Sequence, residues 1–319
     1  MKTNPKVSVL IPTFNYARYL PEAIESVINQ TFTDFELIIV DNNSGDNTDE
    51  VIARYLHDPR ITYHKNPTNI GLAGNWNRCL ELANGEYIKF LCADDKFHPE
   101  MLMKFTTVMD ANPSVSLVTC HKQVFDAHSF VTTVAFSHLQ DGRTALLNTL
   151  ADHCWIGEPS SVMFRRKHLA VGNFTTVYQM HVDWEMWLRM LSVGDCYIIP
   201  EALSYIRYHP EQHARKMKKK KYVLCFEEYQ LAKDVQLNNG FDFRIAAHDP
   251  VIKQAVKKRA VFCVRHAMYK VIPKLYQRST WPVFKKAMQI GWEERVFGAA
   301  FLELLKGLMI NTRKLLYRQ

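Results

Sequence analysis

What the chain lacks narrows its class before any motif is read. No stretch of its 319 residues approaches the roughly 18 uninterrupted apolar residues that cross a bilayer as a helix. The apolar run at residues 7–12 is too short for a signal peptide, and residues 1–6 ahead of it are polar. The seven cysteines (79, 92, 120, 154, 196, 225 and 263) are odd in number and scattered, with no C-x-x-C pair. That leaves zinc and thioredoxin-like readings without support. Scattered thiols suit a reducing compartment, so the expected location is the cytoplasm. Internal repeats are absent, and the one low-complexity tract is a lysine run.

What is present is ordinary in bulk and uneven along the chain. The apolar fraction of 47% and charged fraction of 23% are those of a folded globular protein. The aromatic count (6 Trp, 14 Tyr, 18 Phe) suits ring stacking on sugars or bases and equally suits a core. The net charge of +8 hides a split: residues 1–214 carry 17 Lys and Arg against 24 Asp and Glu, and residues 215–319 carry 23 against 8. An acidic front and a basic tail point to two parts, 1–214 and 215–319.

The first part alternates short β-branched runs with helical spacing. Residues 7–11, 35–40, 61–64 and 87–91 read as strands, and 18–30, 48–57 and 75–83 as helices, the last with Asn84 and Gly85 as its C-cap. This rhythm predicts an α/β fold with a mostly parallel sheet flanked by helices. Beyond about residue 115 the pattern turns to shorter strands, at 162–164 and 197–199, with a helix over 183–193. The basic part reads as mainly helical.

In open α/β sheets ligands sit outside the carboxyl ends of the strands. Three polar clusters fall there: residues 13–15, residues 41–44, and the pair Asp94 and Asp95. Paired carboxylates at a strand end suit a hard divalent cation on a diphosphate. An acidic turn that merely caps the next helix explains the same two residues. Likewise Asp41 is placed either to accept the imide N–H of a pyrimidine base or to close an Asx turn.

The segments VSVLIPTFN (7–15), QTFTDFELIIVDNNS (30–44) and ANGEYIKFL (83–91), followed by Asp94, Asp95 and Pro99, resemble family 2 glycosyltransferases. The resemblance continues through GEPSSVMFR (157–165) and DWEMWLR (183–189) to YIRYH (205–209), in order, over about the first two-thirds of the chain. It implies a GT-A fold (Rossmann-like, with a C-terminal helical region appended here) and an inverting, metal-dependent transfer from a UDP- or dTDP-sugar. By the same resemblance Pro12, Thr13 and Asn15 line the nucleoside pocket, Asp41 holds the base, and Asn77 belongs to the donor site. Asp94 lies near ribose and diphosphate and assists the metal. Asp95 is the primary ligand of Mn²⁺ or Mg²⁺, and His209 a further ligand or phosphate contact. Where the family often has Asp-x-Asp-Asp, this chain has Cys92 in the first position. Asp183 matches the general base, with Glu185 its rival, because an inverting transfer needs one carboxylate in reach of the acceptor hydroxyl. Arg207, the turn at residues 159–161, and Trp184 and Trp187 are further candidates for phosphate, acceptor or sugar contact. The Gln-x-x-Arg-Trp motif of processive synthases is absent, which favours single addition to a glycan or lipid-linked oligosaccharide in cell-surface polysaccharide synthesis.

The basic tail adds a second expectation. Arg215, Lys216 and lysines 218–221 form a cationic patch, and residues 296–310 read as an amphipathic helix with Phe297, Phe301, Leu304, Leu305 and Leu308 on one face. Contact with an anionic membrane surface, on the inner face of the plasma membrane, competes with simple docking on the catalytic part. Two other functions compete with the enzyme: a non-catalytic GT-A-fold binding protein, and a nucleic-acid-binding protein acting through the tail. The latter leaves the acidic strand ends unexplained, and no nucleic acid is expected as partner.

Overall fold

The structure, a computed structural model, describes residues 4–136, 138–212, 221–274 and 276–305. The basic run at 215–220 and residues 306–310 of the expected amphipathic helix lie outside the described residues. Contacts divide the chain into two compact units, one over residues 4–149 and 153–212, the other over 150–152 and the described residues from 221 onward.

The first unit is built on one mixed sheet. β1 (Val7–Thr13), β2 (Phe35–Asp41), β3 (Ile61–Lys65) and β4 (Tyr87–Phe90) run parallel in the order β3-β2-β1-β4. The crossovers are α1 (Leu20–Ile28), α2 (Thr48–Ala53) and α3 (Gly71–Leu82). β1 is a fully buried apolar run, Val7, Val9, Leu10 and Ile11 being shielded on both sheet faces. α1 starts with Pro21 in its first turn and turns Leu20, Ala23, Ile24 and Val27 onto the sheet, a spacing that keeps one helical face apolar.

The remaining strands depart from the simple alternation. β5 (Lys96–Phe97) precedes α4 (Met101–Ala111), which leads into β6 (Val115–Asp126). β7 (Phe130–Thr132) and β8 (His138–Gln140) are short, and α5 (Gly142–Ala151) follows. β9 (Met163–Arg165) pairs antiparallel with both β4 and β6. β10 (Asp195–Tyr208), which follows α6 (Val182–Leu191), runs parallel to β6 through three irregular steps in register. The sequence shows only residues 197–199 of β10, because the bulges break its alternation and polar residues interrupt it.

Two local expectations change. α3 begins at Gly71, earlier than the spacing from residue 75 suggests. Gly85 does not cap it in the left-handed region; the helix ends at Ala83 in extended backbone. Glycine is needed at 85 because a Cβ there would collide with the backbone of Val7 and Ser8, where the Gly85 N–H donates to Ser8 Oγ at 2.7 Å.

The second unit contains α7 (Lys221–Leu237), α8 (Pro250–His266) and α9 (Trp281–Glu293), joined by shorter turns. Asp249 caps α8, its carboxylate accepting from the Val251 N–H at 2.9 Å, with Pro250 at the first helical position. No described helix is long and apolar enough to cross a membrane.

Candidate active site

β4 ends at Phe90, and the chain turns through Leu91, Cys92 and Ala93 to Asp94 and Asp95. The two carboxylates meet different surroundings. Asp95 is 4% exposed, and both of its oxygens are taken: Oδ2 accepts from Ser160 Oγ at 2.6 Å and Oδ1 from the Arg207 backbone N–H at 3.0 Å. Burial, then the neighbouring Asp94 charge, pushes its carboxyl well above the usual carboxylate range. The Asp94 side chain is more open, at 13% exposed, and its Oδ2 lies 2.9 Å from His209 Nε2.

His209 arrives from the end of β10. Its ring packs on Tyr19, centroids 4.7 Å apart, and stands edge-on to Tyr16 at 5.8 Å. Both tyrosines follow the end of β1. Arg207, two residues before His209, donates Nε–H to the Asp94 carbonyl at 2.9 Å and Nη2–H to Glu22 at 2.8 Å, and lies over the Tyr19 and Phe125 rings. All of the guanidinium nitrogens thus serve the protein: Nη1 also reaches Asp126 at 3.3 Å.

A buried lysine supports the acidic turn from below. Lys89 on β4 is fully buried, and its Nζ donates to the carbonyls of Phe90, Pro159 and Ser160 at 2.9, 3.2 and 2.7 Å. Burial lowers its pKa to about 7, and the Phe97 ring lies 4.4 Å away. Lys89 therefore straps the turn at Pro159–Ser161 to the sheet. That turn places Ser160 Oγ to donate to Asp95 and to accept from the Cys92 N–H at 2.9 Å. Gly157, just before it, has φ +104, a conformation that favours glycine, and a Cβ there would press on Ser161 Oγ.

Asp183 stands in the first turn of α6, and its Oδ1 accepts from the Trp184 N–H at 2.8 Å. Burial raises its carboxyl to about 6. Its charge also contributes to the raised thiols of Cys154 and Cys92. Its rival Glu185 is committed elsewhere: both oxygens accept from Arg189, at 2.7 and 2.8 Å, and the pair is buried. Trp187 is core, its Nε1–H donating to the Gly157 carbonyl at 3.0 Å, and Trp184 is buried.

The β1 and β2 ends sit side by side, Pro12 opposite Val40 and Thr13 opposite Asp41. Asp41 is fully buried, and both of its oxygens accept from Ser44, through the N–H at 3.1 Å and through the hydroxyl at 2.5 Å. Asn15, at φ +57, accepts the Gly45 N–H on Oδ1 at 2.8 Å and donates its own N–H to Ser44 Oγ at 2.8 Å. These residues lie at the carboxyl ends of β1 and β2. The Asn77 carboxamide is occupied by the chain: it both donates to and accepts from the Phe174 backbone, at 2.9 Å each way, tethering a loop. Two buried polar atoms at the ligand edge, Thr13 Oγ1 and His209 Nδ1, meet no hydrogen-bond partner among the described residues.

Cys92, Asp94 and Asp95 bring three ligand atoms within 4.8 Å of one another. The carboxylate oxygens suit a hard divalent cation, and His209 beside Asp94 adds an imidazole. Sequence reasoning names the acidic pair, His209 and Asp183. It does not find the scaffold of Lys89, Tyr16 and Tyr19, although a lysine inside an otherwise apolar strand is a visible signal.

The description "Glycosyl transferase family 2" matches residues 8–172, just over half of the chain. WcaA of Escherichia coli strain K12, named for glycosyl transfer in colanic acid biosynthesis, is 36% identical over 134 residues, which are 41% of this chain and 43% of WcaA. Matched segments span 39–67% of the length of the first curated relatives. Among solved structures, Staphylococcus aureus TarS 1–349 in complex with UDP-GlcNAc superposes with a TM-score of 0.68 at 19% identity, covering 88% of this chain and 79% of TarS 1–349. A mannosyltransferase from Pyrobaculum calidifontis in complex with GDP-Man and Mn²⁺ gives a TM-score of 0.58 at 17% identity, over 95% of this chain and 88% of that one. At these identities the likeness speaks to the fold, which is of the GT-A type.

Proposed function

The chain belongs to glycosyl transferase family 2, and we propose that it moves a single sugar from a nucleoside-diphosphate donor to a hydroxyl of a glycan or lipid-linked oligosaccharide. The observation that carries this reading is two carboxylates in unlike surroundings, Asp94 after β4 and Asp183 in the first turn of α6. Asp94 is held at the strand end by His209, and Asp183 is raised to about 6 by burial, close to working pH.

The residues divide by role. Asp94 and His209 would hold Mn²⁺ or Mg²⁺, with Asp94 rather than Asp95 leading, because both Asp95 oxygens already accept hydrogen bonds from the chain. The cation would neutralise charge on the departing diphosphate. Asp95 holds the turn in shape through Ser160 and the Arg207 N–H. Asp183 accepts the acceptor's hydroxyl proton as that oxygen attacks the anomeric carbon from the face opposite the leaving nucleotide, which inverts the centre. Pro12, Thr13 and Asn15 line the nucleoside side, and Asp41 fixes that side through Ser44. Work on cell-surface polysaccharide is supported by the likeness to WcaA. A lipid-linked acceptor would bring the enzyme to a membrane surface, and its basic tail suits an anionic one.

The deciding test is a panel of UDP-, dTDP- and GDP-sugars, each assayed with Mn²⁺ and again with excess EDTA. At least one donor should be hydrolysed or transferred, should raise the melting temperature, and should lose both effects in EDTA. Failure of every donor on both readouts sinks the reading.

A further inference from the structure

We propose that the second unit carries a membrane-docking surface, formed by α9 and the turn before it, whose partner is an anionic lipid bilayer. The proposal stands apart from the transfer reading and rests on two observations about residues 272–293.

The first is charge. Residues 272–293, the turn and α9, contain four Lys and Arg (Lys274, Arg278, Lys285 and Lys286) against one acidic residue, Glu293 at the end of the helix. A surface with this excess of cations attracts an anionic one, each basic residue near it adding to the attraction. The second is exposed apolar bulk in the same stretch. Tyr276 and Trp292 are each 80% exposed, Trp281 is 50% and Ile272 45% exposed. Such large side chains are usually shielded by the rest of the fold.

The geometry gives these residues a common orientation. On α9, Trp281, Lys285, Gln289 and Trp292 follow steps of four, four and three residues, so they share one face. The opposite face carries the buried Ala287, Ile290 and Gly291. Two tryptophans eleven residues apart lie about 16 Å from each other along that side. A helix with aromatic rings at both ends and a lysine between them fits the plane of a bilayer interface, where indole is favoured. The preceding turn adds Ile272, Lys274, Tyr276 and Arg278, all exposed. A soluble polyanion would use the charges and leave Ile272 idle, since an aliphatic side chain has no base to stack on. A bilayer uses both.

The experiment uses the full chain and vesicles of phosphatidylcholine alone or with phosphatidylglycerol. Binding is read by flotation, and insertion by a blue shift of tryptophan emission. The expected result is partition onto anionic vesicles at least about tenfold above neutral ones, with a blue shift. W281S/W292S should abolish most of the shift, and K274E/R278E/K285E should lower partition about tenfold or more. Both variants should keep the parent's melting temperature and donor turnover, which separates failure here from failure of the transfer reading. Equal binding to neutral vesicles, or variants that bind like the parent, overturn the proposal. Binding to a DNA duplex or polyphosphate as tight as to anionic vesicles, without a blue shift, also overturns it and assigns the surface to a soluble polyanion.

Discussion

Asp94 Oδ2 and His209 Nε2 lie 2.9 Å apart although 115 residues separate them in the chain. One follows β4 and the other follows β10, so the contact exists only once β9, β6 and β10 have been laid beside the parallel strands. Each side chain fixes the direction of the other, and Arg207 holds the Asp94 carbonyl from the same strand. Shared orientation of this kind is how a weakly basic group and a carboxylate are made into a defined donor set.

His209→Ala should weaken Mn²⁺ binding about 10- to 100-fold, the usual cost of removing a group that orients a ligand. Asp94→Asn should cost more, because the charge itself is lost. Titration calorimetry with Mn²⁺ in the presence of the donor's nucleoside diphosphate measures both. A His209→Ala protein that binds metal like the parent would remove His209 from the site.

Asp183→Asn should lower transfer about 10²- to 10⁴-fold, the range for loss of a positioned general base. Donor affinity should hold, since Asp183 faces the acceptor in this reading. Equilibrium donor binding and single-turnover transfer, measured on one preparation, separate the two effects. Full transfer by the Asn variant refutes the assignment.

The same residue sets a pH limb. Burial raises the Asp183 carboxyl to about 6, so below that pH it is protonated and accepts no further proton. kcat/KM should therefore fall about tenfold per pH unit below 6 and level off above it. Stability carries the opposite sign. The folded state holds this proton more tightly than the unfolded chain, so the contribution of Asp183 declines as pH rises from the ordinary carboxylate range through 6. A pH–rate profile of parent and D183E, with melting temperatures over the same range, checks both slopes.

Glu185→Gln tests the neighbouring carboxylate. It breaks a buried, two-point ion pair with Arg189, whose guanidinium also donates to the Val171 and Asn173 carbonyls at 2.7 and 2.8 Å. The loss should be about 3 kcal/mol of stability, because a buried guanidinium loses its two-point carboxylate contact. Turnover by the folded fraction should not change. Denaturant unfolding beside kcat on the folded protein tells a structural residue from a base; a large kcat loss at unchanged stability would reinstate Glu185.

Much of the fold was legible because its first four strands are consecutive and parallel, and β1, β2 and β4 are buried. VSVLI and FELIIV are runs of β-branched and apolar residues that almost nothing but a covered strand explains. The later strands were hidden. β10 carries three irregular steps of register against β6, which erase a simple alternation, and pairs with β5 and β8 along its other edge. The role of Lys89 lay beyond local sequence, since its three carbonyl partners include two from a turn seventy residues away.

For the site, strand ends nominated Asp94 and Asp95, because that is where an α/β sheet presents polar groups, and the resemblance to family 2 glycosyltransferases added Asp183 and His209. It was not enough to distribute their work. Asp94 and Asp95 are neighbours of one type, and Asp183 and Glu185 lie two residues apart in one helical turn. Burial and hydrogen-bond partners separate them. Asp95 is closed off by Ser160 and Arg207, and Glu185 by Arg189, while Asp94 reaches His209 and Asp183 keeps a raised carboxyl. The chain alone determined which residue types reach the edge of the sheet, since that follows from local periodicity. Only the tertiary structure decided which of them stay available for chemistry, because solvation and partnership depend on segments far away in sequence.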